Sequence, residues 1–342
     1  MNGYERIDHA LKRQKTDQIP VMLHNFMPAA TESGISMAEY RSDAKKMADA
    51  HIHAARKYGL DGILLDVDTC LEAGAIGVPV ALLENEPAVV LGSASDNIDE
   101  LIAMMEPDRL LKYDRIKVYL DAIHIMKKRV DGELWIRGNC DQMAYSLAML
   151  AYGMQDFMAA LLDEEQEEKI VELIDRAYYV HLSFHQLVME AGADMTSFGD
   201  SSCGPELISP ALYMKYANPY HKRLRKDLKR LNIQTVCHIC GNLDLIMEEV
   251  AKVGFTGVEI DYKTNIELAA RIFKERSIVF GPLDPTGMFY RGQPEEIENE
   301  VKKVLDCFEG NGIIIGAGCA LSPFTPEANI RTFLKAVKSY QK

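Results

Sequence analysis

The stretch IQTVCHICGNLDLIMEEVAKVGFTGVEID, running from Ile233 to Asp261, decides the fold. It opens with a β-branched run, Ile233–His238, continues as an amphipathic helical pattern, Leu243–Val253, and ends on a second short run, Thr256–Ile260. Strand, helix and strand in that order make a parallel βαβ unit. The alternation extends in both directions. Further strand-like runs are Ile19–His24, Gly62–Asp66, Leu134–Gly138, Asp194–Gly199, Ser277–Gly281 and Gly312–Gly316. Helical patterns include Met154–Ala177, Leu212–Leu231, Asn265–Glu275 and Pro294–Phe308. About eight strands predict an α/β fold, a closed (β/α)8 TIM barrel, with residues 1–342 as a single domain. Residues 1–18 read as an N-terminal helical extension around Arg6–Arg13. Thr69–Lys117, with Pro79, Pro87 and Pro107, reads as an insertion after the second strand, carrying a small hairpin around Val78–Leu91.

Composition narrows the function classes. Lys+Arg 38 against Asp+Glu 51 gives a net charge of -13, which disfavours general binding of nucleic acid or anionic membrane. The basic cluster Arg223, Arg225, Lys226 and Arg230 reads as a solvated helix face. No apolar stretch approaches the roughly 20 residues needed to span a bilayer. Seven scattered cysteines do not suggest a disulfide framework, and Met1–Arg6 shows no signal-peptide pattern, so the cytoplasm is the expected compartment. Neither a P-loop nor a Gly-x-Gly-x-x-Gly turn is present.

Chemistry-bearing residues follow the strand-like runs. In order they are His24 and Asn25, Asp66 and Asp68, Asn139 and Asp141, Asp200, His238 and Cys240, Asp261, Asp284, and Cys319. Barrel enzymes build their active sites from such strand ends. Asp and Asn there also serve as helix caps; His and Cys are not favoured caps. Residues i and i+2 of a strand share a face, so His238 and Cys240 are expected to point into the barrel mouth and Cys237 toward the helices. That parity argues against a redox Cys-x-x-Cys pair. With Cys319, the two make a set of three soft ligands, one short of the four that a closed structural zinc site uses. His181 and His185, four apart in a helical pattern without the Glu of His-Glu-x-x-His, are expected to be ordinary helix-surface histidines.

These residues resemble the uroporphyrinogen decarboxylase superfamily, and within it the methylcobamide:coenzyme M methyltransferase branch. The resemblance is carried by Gly192-Ala193-Asp194 through Gly199-Asp200, by Leu207-Ile208-Ser209-Pro210 with Tyr213, and by His238-Ile239-Cys240-Gly241-Asn242. Gly281-Pro282-Leu283-Asp284-Pro285 and Gly318-Cys319 with Pro326-Glu327-Ala328-Asn329 complete it. The His-x-Cys and the late Cys are similar to the zinc motif of the methyltransferases, which the decarboxylase does not need. The decarboxylase's Arg-Gln-Ala-Gly-Arg segment is replaced here by Pro20–Ala30, without arginine. Pro282 stands where the methyltransferases often carry Asn.

The resemblance implies Zn2+ held by His238, Cys240 and Cys319. It also implies a carboxylate after the sixth strand near the metal; Glu259 or Asp261 fits, with Asp261 preferred for its place at the strand end. Asp261 and Asp200 are the catalytic candidates. Asp66, Asp68, Asn139 and Asp284 are the candidates for contacts to cofactor or substrate, Asp66 or Asp68 aligning with the decarboxylase's pyrrole-binding Asp. The expected activity moves a methyl group between a methylcobamide and a thiol such as coenzyme M or homocysteine. The alternative takes the methyl from a methoxylated or methylated small molecule to Co(I); the decarboxylase and a non-catalytic zinc protein rank below both. No Asp-x-His-x-x-Gly corrinoid motif occurs, so the corrinoid is expected on a separate carrier protein. The sequence leaves a homodimer open.

Overall fold

In the computed structural model, which describes residues 1–340, seven strands form one parallel sheet in the order β1-β4-β5-β6-β7-β8-β9. They are β1 (Gly62–Leu65), β4 (Trp135–Gln142), β5 (Met195–Gly199), β6 (Thr235–Ile239), β7 (Gly257–Ile260), β8 (Ile278–Leu283) and β9 (Ile313–Ala317). The remaining two, β2 (Val80–Ala81) and β3 (Val89–Val90), pair antiparallel as the small hairpin expected in the insertion.

The first expected strand, Ile19–His24, is reduced to a single parallel bridge between Val21 and Ile315 of β9. The reason is local. Pro20 has no N–H to offer a ladder. The N–H of Val21 donates to the carboxylate of Asp61 at 2.7 Å rather than to a neighbouring strand's backbone. Asp61, directly before β1, donates its own N–H to the Val21 carbonyl at 3.0 Å. The segment around Val21 thus sits between β9 and β1 and closes the barrel, half by backbone and half by one side chain.

Asp61 also pairs with Arg6 of the N-terminal helix Gly3–Leu11. That helix starts on a reciprocal cap: Glu5 N–H donates to Asn2 Oδ1 at 2.9 Å and Asn2 N–H to Glu5 Oε2 at 3.0 Å. Its Ile7 plugs one end of the barrel against an apolar layer that includes Met22, Leu64, Trp135, Val236, Phe280 and Ile314. Gly257 belongs to this layer because a Cβ there would lie 2.5 Å from the Phe280 ring. Two residues further along β4 to β7 the inward positions turn polar: Arg137 on β4, Ser197 on β5, His238 on β6 and Glu259 on β7. The functional end is therefore a polar layer resting on an apolar floor.

His181 and His185 correct the sequence reading. Both are fully buried on helix Glu167–Glu190. His181 Nδ1 lies 3.1 Å from Glu72 Oε2, the two Nε2 atoms are 3.0 Å apart, and His185 Nδ1 is 2.8 Å from Thr196 Oγ1. The insertion supplies Glu72 from helix Leu71–Ile76, so a helix face that would otherwise meet water is covered. No helix among the described residues is long and apolar enough to cross a membrane.

Because Asp61 ties Val21, β1 and the N-terminal helix together, Asp61→Ala is expected to cost about 1–3 kcal/mol, the penalty for leaving the buried Val21 N–H without an acceptor, while Arg6 keeps its pairing with Asp17. Urea denaturation followed by circular dichroism measures this; a loss below about 1 kcal/mol would show that the barrel closes without it.

Candidate metal centre

The alternation of β6 places Val236 and His238 toward the barrel axis, while Cys237 and Ile239 pack into the layer between sheet and helices. Cys240 follows on the inward side, and its Sγ lies 3.0 Å from His238 Nε2. Cys319 arrives from beyond β9 through Gly318, where a Cβ would sit 2.6 Å from the carbonyl oxygen of Ile260. Glycine there lets the chain press against β7 and deliver the thiol. The ligand atoms of His238, Cys240 and Cys319 all lie within 4.8 Å of one another.

They share the wall of a cavity of about 230 Å3 with His24, Asp66, Asn139 and Glu259, and with the apolar side chains of Phe26, Met27 and Pro87. His238 Nδ1 is 3.2 Å from the carbonyl oxygen of Glu259. A proton on Nδ1 satisfies that oxygen and leaves the Nε2 lone pair facing the sulfurs, the tautomer that a metal-binding imidazole requires. One imidazole and two thiols suit zinc, and three protein donors suit a catalytic site more than a closed one.

The thiols are unequal. The hydrogen bond from Cys319 holds the Cys240 thiol well below its ordinary range; burial opposes this, and His238 and the Ser201 hydroxyl at 3.4 Å reinforce it. The same contact, with burial, pushes Cys319 well above the ordinary range. Behind them, Glu259 is only 3% exposed. Burial works against its charge, but Arg137, His238 and His24 outweigh it and keep the carboxyl below its usual range. Arg137 Nη1 donates to Glu259 Oε2 at 2.6 Å, and His238 Nδ1 lies 3.6 Å from Oε1. Across the cavity His24 Nε2 meets Asp66 Oδ2 at 2.6 Å, and Asn139 Nδ2 donates to Asp66 Oδ1 at 3.0 Å.

Of the residues expected from sequence, His238, Cys240, Cys319, Asp66, Asp68 and Asn139 all face this cavity, Asp68 with Arg115 as its ion-pair partner. Asp200, Asp261 and Asp284 do not. Asp200 is fully buried and accepts from Ser146 Oγ at 2.6 Å, with His221 Nε2 at 2.8 Å. Its carboxylate braces the turn Ser201–Cys203, whose Ser201 touches Cys240. The cluster Asp200, Cys203 and His221 is also tight enough for a metal, but both carboxylate oxygens are already engaged. Asp261 accepts from the N–H groups of Gly241 at 2.9 Å and Lys263 at 3.1 Å. Asp284 accepts from those of Thr286 and Gly287, both at 2.8 Å. Asp284 caps its own loop, Asp261 ties its loop to the one that follows Cys240, and the carboxylate beside the candidate ligand trio is Glu259. Sequence reasoning left Arg137, Ser201 and the role of His24 unassigned. Arg137 had a signal: it interrupts an apolar run at the same parity as Asn139.

Comparison with known proteins shows the family. The family model for uroporphyrinogen decarboxylase matches residues 3–340, and the chain belongs to that family. It is 29% identical to a methylcobamide:CoM methyltransferase, MtbA, of Methanosarcina acetivorans, over 98% of both chains. It is 26% identical to a methylated-thiol–coenzyme M methyltransferase of Methanosarcina mazei, covering 86% of this chain and 77% of that one. A solved methyltransferase structure from Methanosarcina mazei superposes with a TM-score of 0.89 at 22% identity over 98% of each chain, which establishes the shared TIM-barrel fold.

The inequality of the thiols gives a pH prediction for metal-free protein. A lowered pKa keeps Cys240 as thiolate through neutral pH and loses it only as pH falls through that value; Cys319 stays protonated. Iodoacetamide at pH 7, read by peptide mass spectrometry, is expected to label Cys240 before Cys319. Cys319→Ala is expected to move the onset of Cys240 labelling to higher pH. Equal labelling of both thiols would refute the asymmetry.

Proposed function

We propose that this member of the uroporphyrinogen decarboxylase family is a zinc-dependent methyltransferase, moving a methyl group between a methylcobamide on a separate carrier protein and a small thiol. The convergence of His238, Cys240 and Cys319 on one cavity at the C-terminal mouth of the barrel carries the reading. The resemblance to the methylcobamide:CoM methyltransferase supports it. Zinc bound there would hold a thiol substrate as thiolate, a form only a few per cent populated at pH 7 in water.

The chain's own residues do the rest. Glu259 and its carbonyl fix the His238 ring. Arg137 fixes Glu259. Ser201 donates to the Cys240 sulfur and limits the negative charge on it, and Asp200 holds the turn that presents Ser201. Phe26, Met27 and Pro87 exclude water from the sulfur, and a desolvated thiolate is the stronger nucleophile. A methylcobamide docked at the mouth would supply the methyl to that sulfur, keeping the electron pair of its broken bond to carbon. The thiol proton passes to solvent.

A second reading runs the chemistry from a methylated thiol, releasing the thiol as the corrinoid takes the methyl. The likeness to the methylated-thiol–coenzyme M methyltransferase favours keeping it. The same trio would serve, because the sulfur leaves as the thiolate that attacks in the forward direction.

Purified protein is expected to hold about one zinc per chain and to demethylate methylcobalamin in the presence of a thiol, followed by the visible spectrum of the corrinoid. Chelation should abolish turnover and zinc should restore it. His238→Ala, Cys240→Ala and Cys319→Ala should each lower metal affinity by at least 10–100-fold, the loss seen even for groups that only support a ligand, while Cys237→Ala keeps the metal. Full turnover after complete zinc removal would defeat the proposal.

A further inference from the structure

Outside the cavity, a line of buried polar groups joins the insertion to the barrel. Glu72, His181 and His185 are each 0% exposed. Both Glu72 carboxyl oxygens lie close to His181 Nδ1, at 3.2 and 3.1 Å. His181 Nε2 is 3.0 Å from His185 Nε2, His185 Nδ1 is 2.8 Å from Thr196 Oγ1, and Thr196 Oγ1 is 3.3 Å from the carbonyl oxygen of Gln234. Each contact needs one proton, so with neutral imidazoles the line can run in only two directions. Run from Gln234, Thr196 donates to the carbonyl and accepts from His185 Nδ1–H. His185 Nε2 is then a lone pair that accepts from His181 Nε2–H. His181 Nδ1 is left as a lone pair, and it meets Glu72 only if the carboxyl carries a proton. Run the other way, Glu72 is a carboxylate that accepts from His181. Among the described residues no Lys or Arg pairs with it, and Asp141, 1% exposed, already takes the Glu72 N–H at 2.8 Å. A carboxylate there would be buried beside a second buried carboxyl with no cation to offset it, and such a group takes up a proton instead.

We propose that Glu72, His181 and His185 share one buried proton, held on Glu72 as the neutral acid, and that this proton latches the insertion to the barrel until rising pH removes it. The surroundings supply no competing positive charge. From β4, Cys140 and Asp141 face Glu72. The helix Asp114–Val130 offers Arg115, which is paired with Asp68. The turn Pro107–Lys112 offers Arg109, which donates to the Ile76 carbonyl at the far end of helix Leu71–Ile76. Helix Ala144–Tyr152 carries no charged side chain. Beyond His181, Asp200 is held by Ser146 and His221. Burial therefore dominates. It pushes the Glu72 carboxyl well above its usual range and His181 down to about 3. It also lowers His185, with His181 adding to the effect. Glu72 gains a proton on folding, so its share of the stability is full below the ordinary value of 4.5 and is lost as pH rises through the folded value. The histidines stay neutral in the fold and run the other way, losing stability as pH falls below their ordinary 6.5. The latch sits just behind the site: Asp68 and Thr69 line the cavity, and Cys70, which leads into helix Leu71–Ile76, donates its N–H to Asp68 at 2.9 Å.

Urea denaturation of the unaltered protein is compared with that of Glu72→Gln, whose amide donates to His181 but cannot ionise, at a series of pH values above 4.5. Both proteins carry the same histidines, so the comparison isolates Glu72. The ratio of unfolding constants, unaltered protein over Glu72→Gln, is expected to rise by up to about tenfold per pH unit. A ratio that stays flat with pH overturns the proposal, because Glu72 would then ionise alike in the folded and unfolded chain. Infrared spectra test the proton directly and need no stability measurement. At pH 7 the unaltered protein is expected to show the carbonyl band of a protonated carboxylic acid, shifted in D2O, fading as pH rises and reduced in Glu72→Gln. A spectrum without that band refutes the neutral acid. Hydrogen exchange read by mass spectrometry then reports on the latch. Protection of helix Leu71–Ile76 is expected to fall at alkaline pH in the unaltered protein and to persist in Glu72→Gln at the same pH; equal protection in the two proteins refutes the latch.

Discussion

The polar layer of the barrel depends on one buried carboxylate. Glu259 is approached by Arg137 from β4, His238 from β6 and His24 from the closing segment, so it ties together three parts of the chain far apart in sequence. A carboxylate this buried is tolerated only because those groups compensate it, and removing any of them would strand a charge in a poorly solvated place. The same group sets the tautomer of His238 through its backbone carbonyl. The orientation of the candidate ligand His238 and the integrity of the barrel's upper layer are thus coupled through one residue.

Layering gives that coupling its force. Below Glu259 the barrel is filled by Trp135, Phe280, Val236 and their neighbours and sealed by Ile7. Water has no route from beneath, so charge–charge contacts in the polar layer act in a low dielectric and are worth more than at the surface. Access is from the mouth alone, where the insertion contributes Pro87 and the closing segment Phe26 and Met27. The N-terminal helix, remote from any chemistry, contributes by keeping the floor dry.

Much of this was legible in the chain. The strand–helix alternation gave the barrel, and side-chain parity on one strand separated Cys237 from the inward pair His238 and Cys240. What stayed hidden has physical causes. A carboxylate after a strand can face the mouth or accept from loop N–H groups, and Asp261 and Asp284 do the second while Asp66 does the first; the residue type is the same in both. Glu259 and Asp261 share one parity across the end of β7, so alternation alone does not choose which of the two carboxylates reaches the cavity. The closing strand failed as a strand because Asp61, 40 residues from Val21, takes over a backbone hydrogen bond. His181 is buried by a glutamate from the insertion and His185 by Thr196 and Phe198 of β5, contacts that helical periodicity alone does not reveal.

The compensation of charge also separates this site from porphyrinogen chemistry within the same family. A substrate bearing many carboxylates needs several cations free to meet them. Here His24 faces Asp66, Arg115 faces Asp68, and Arg137 gives one of its edges to Glu259. The segment Pro20–Ala30 adds no arginine. One barrel can therefore serve two chemistries: arginines at the first strand end suit it to polycarboxylates, whereas two thiols and an imidazole at the ends of β6 and β9 suit it to a single sulfur. In this chain the first set is missing and the second is complete.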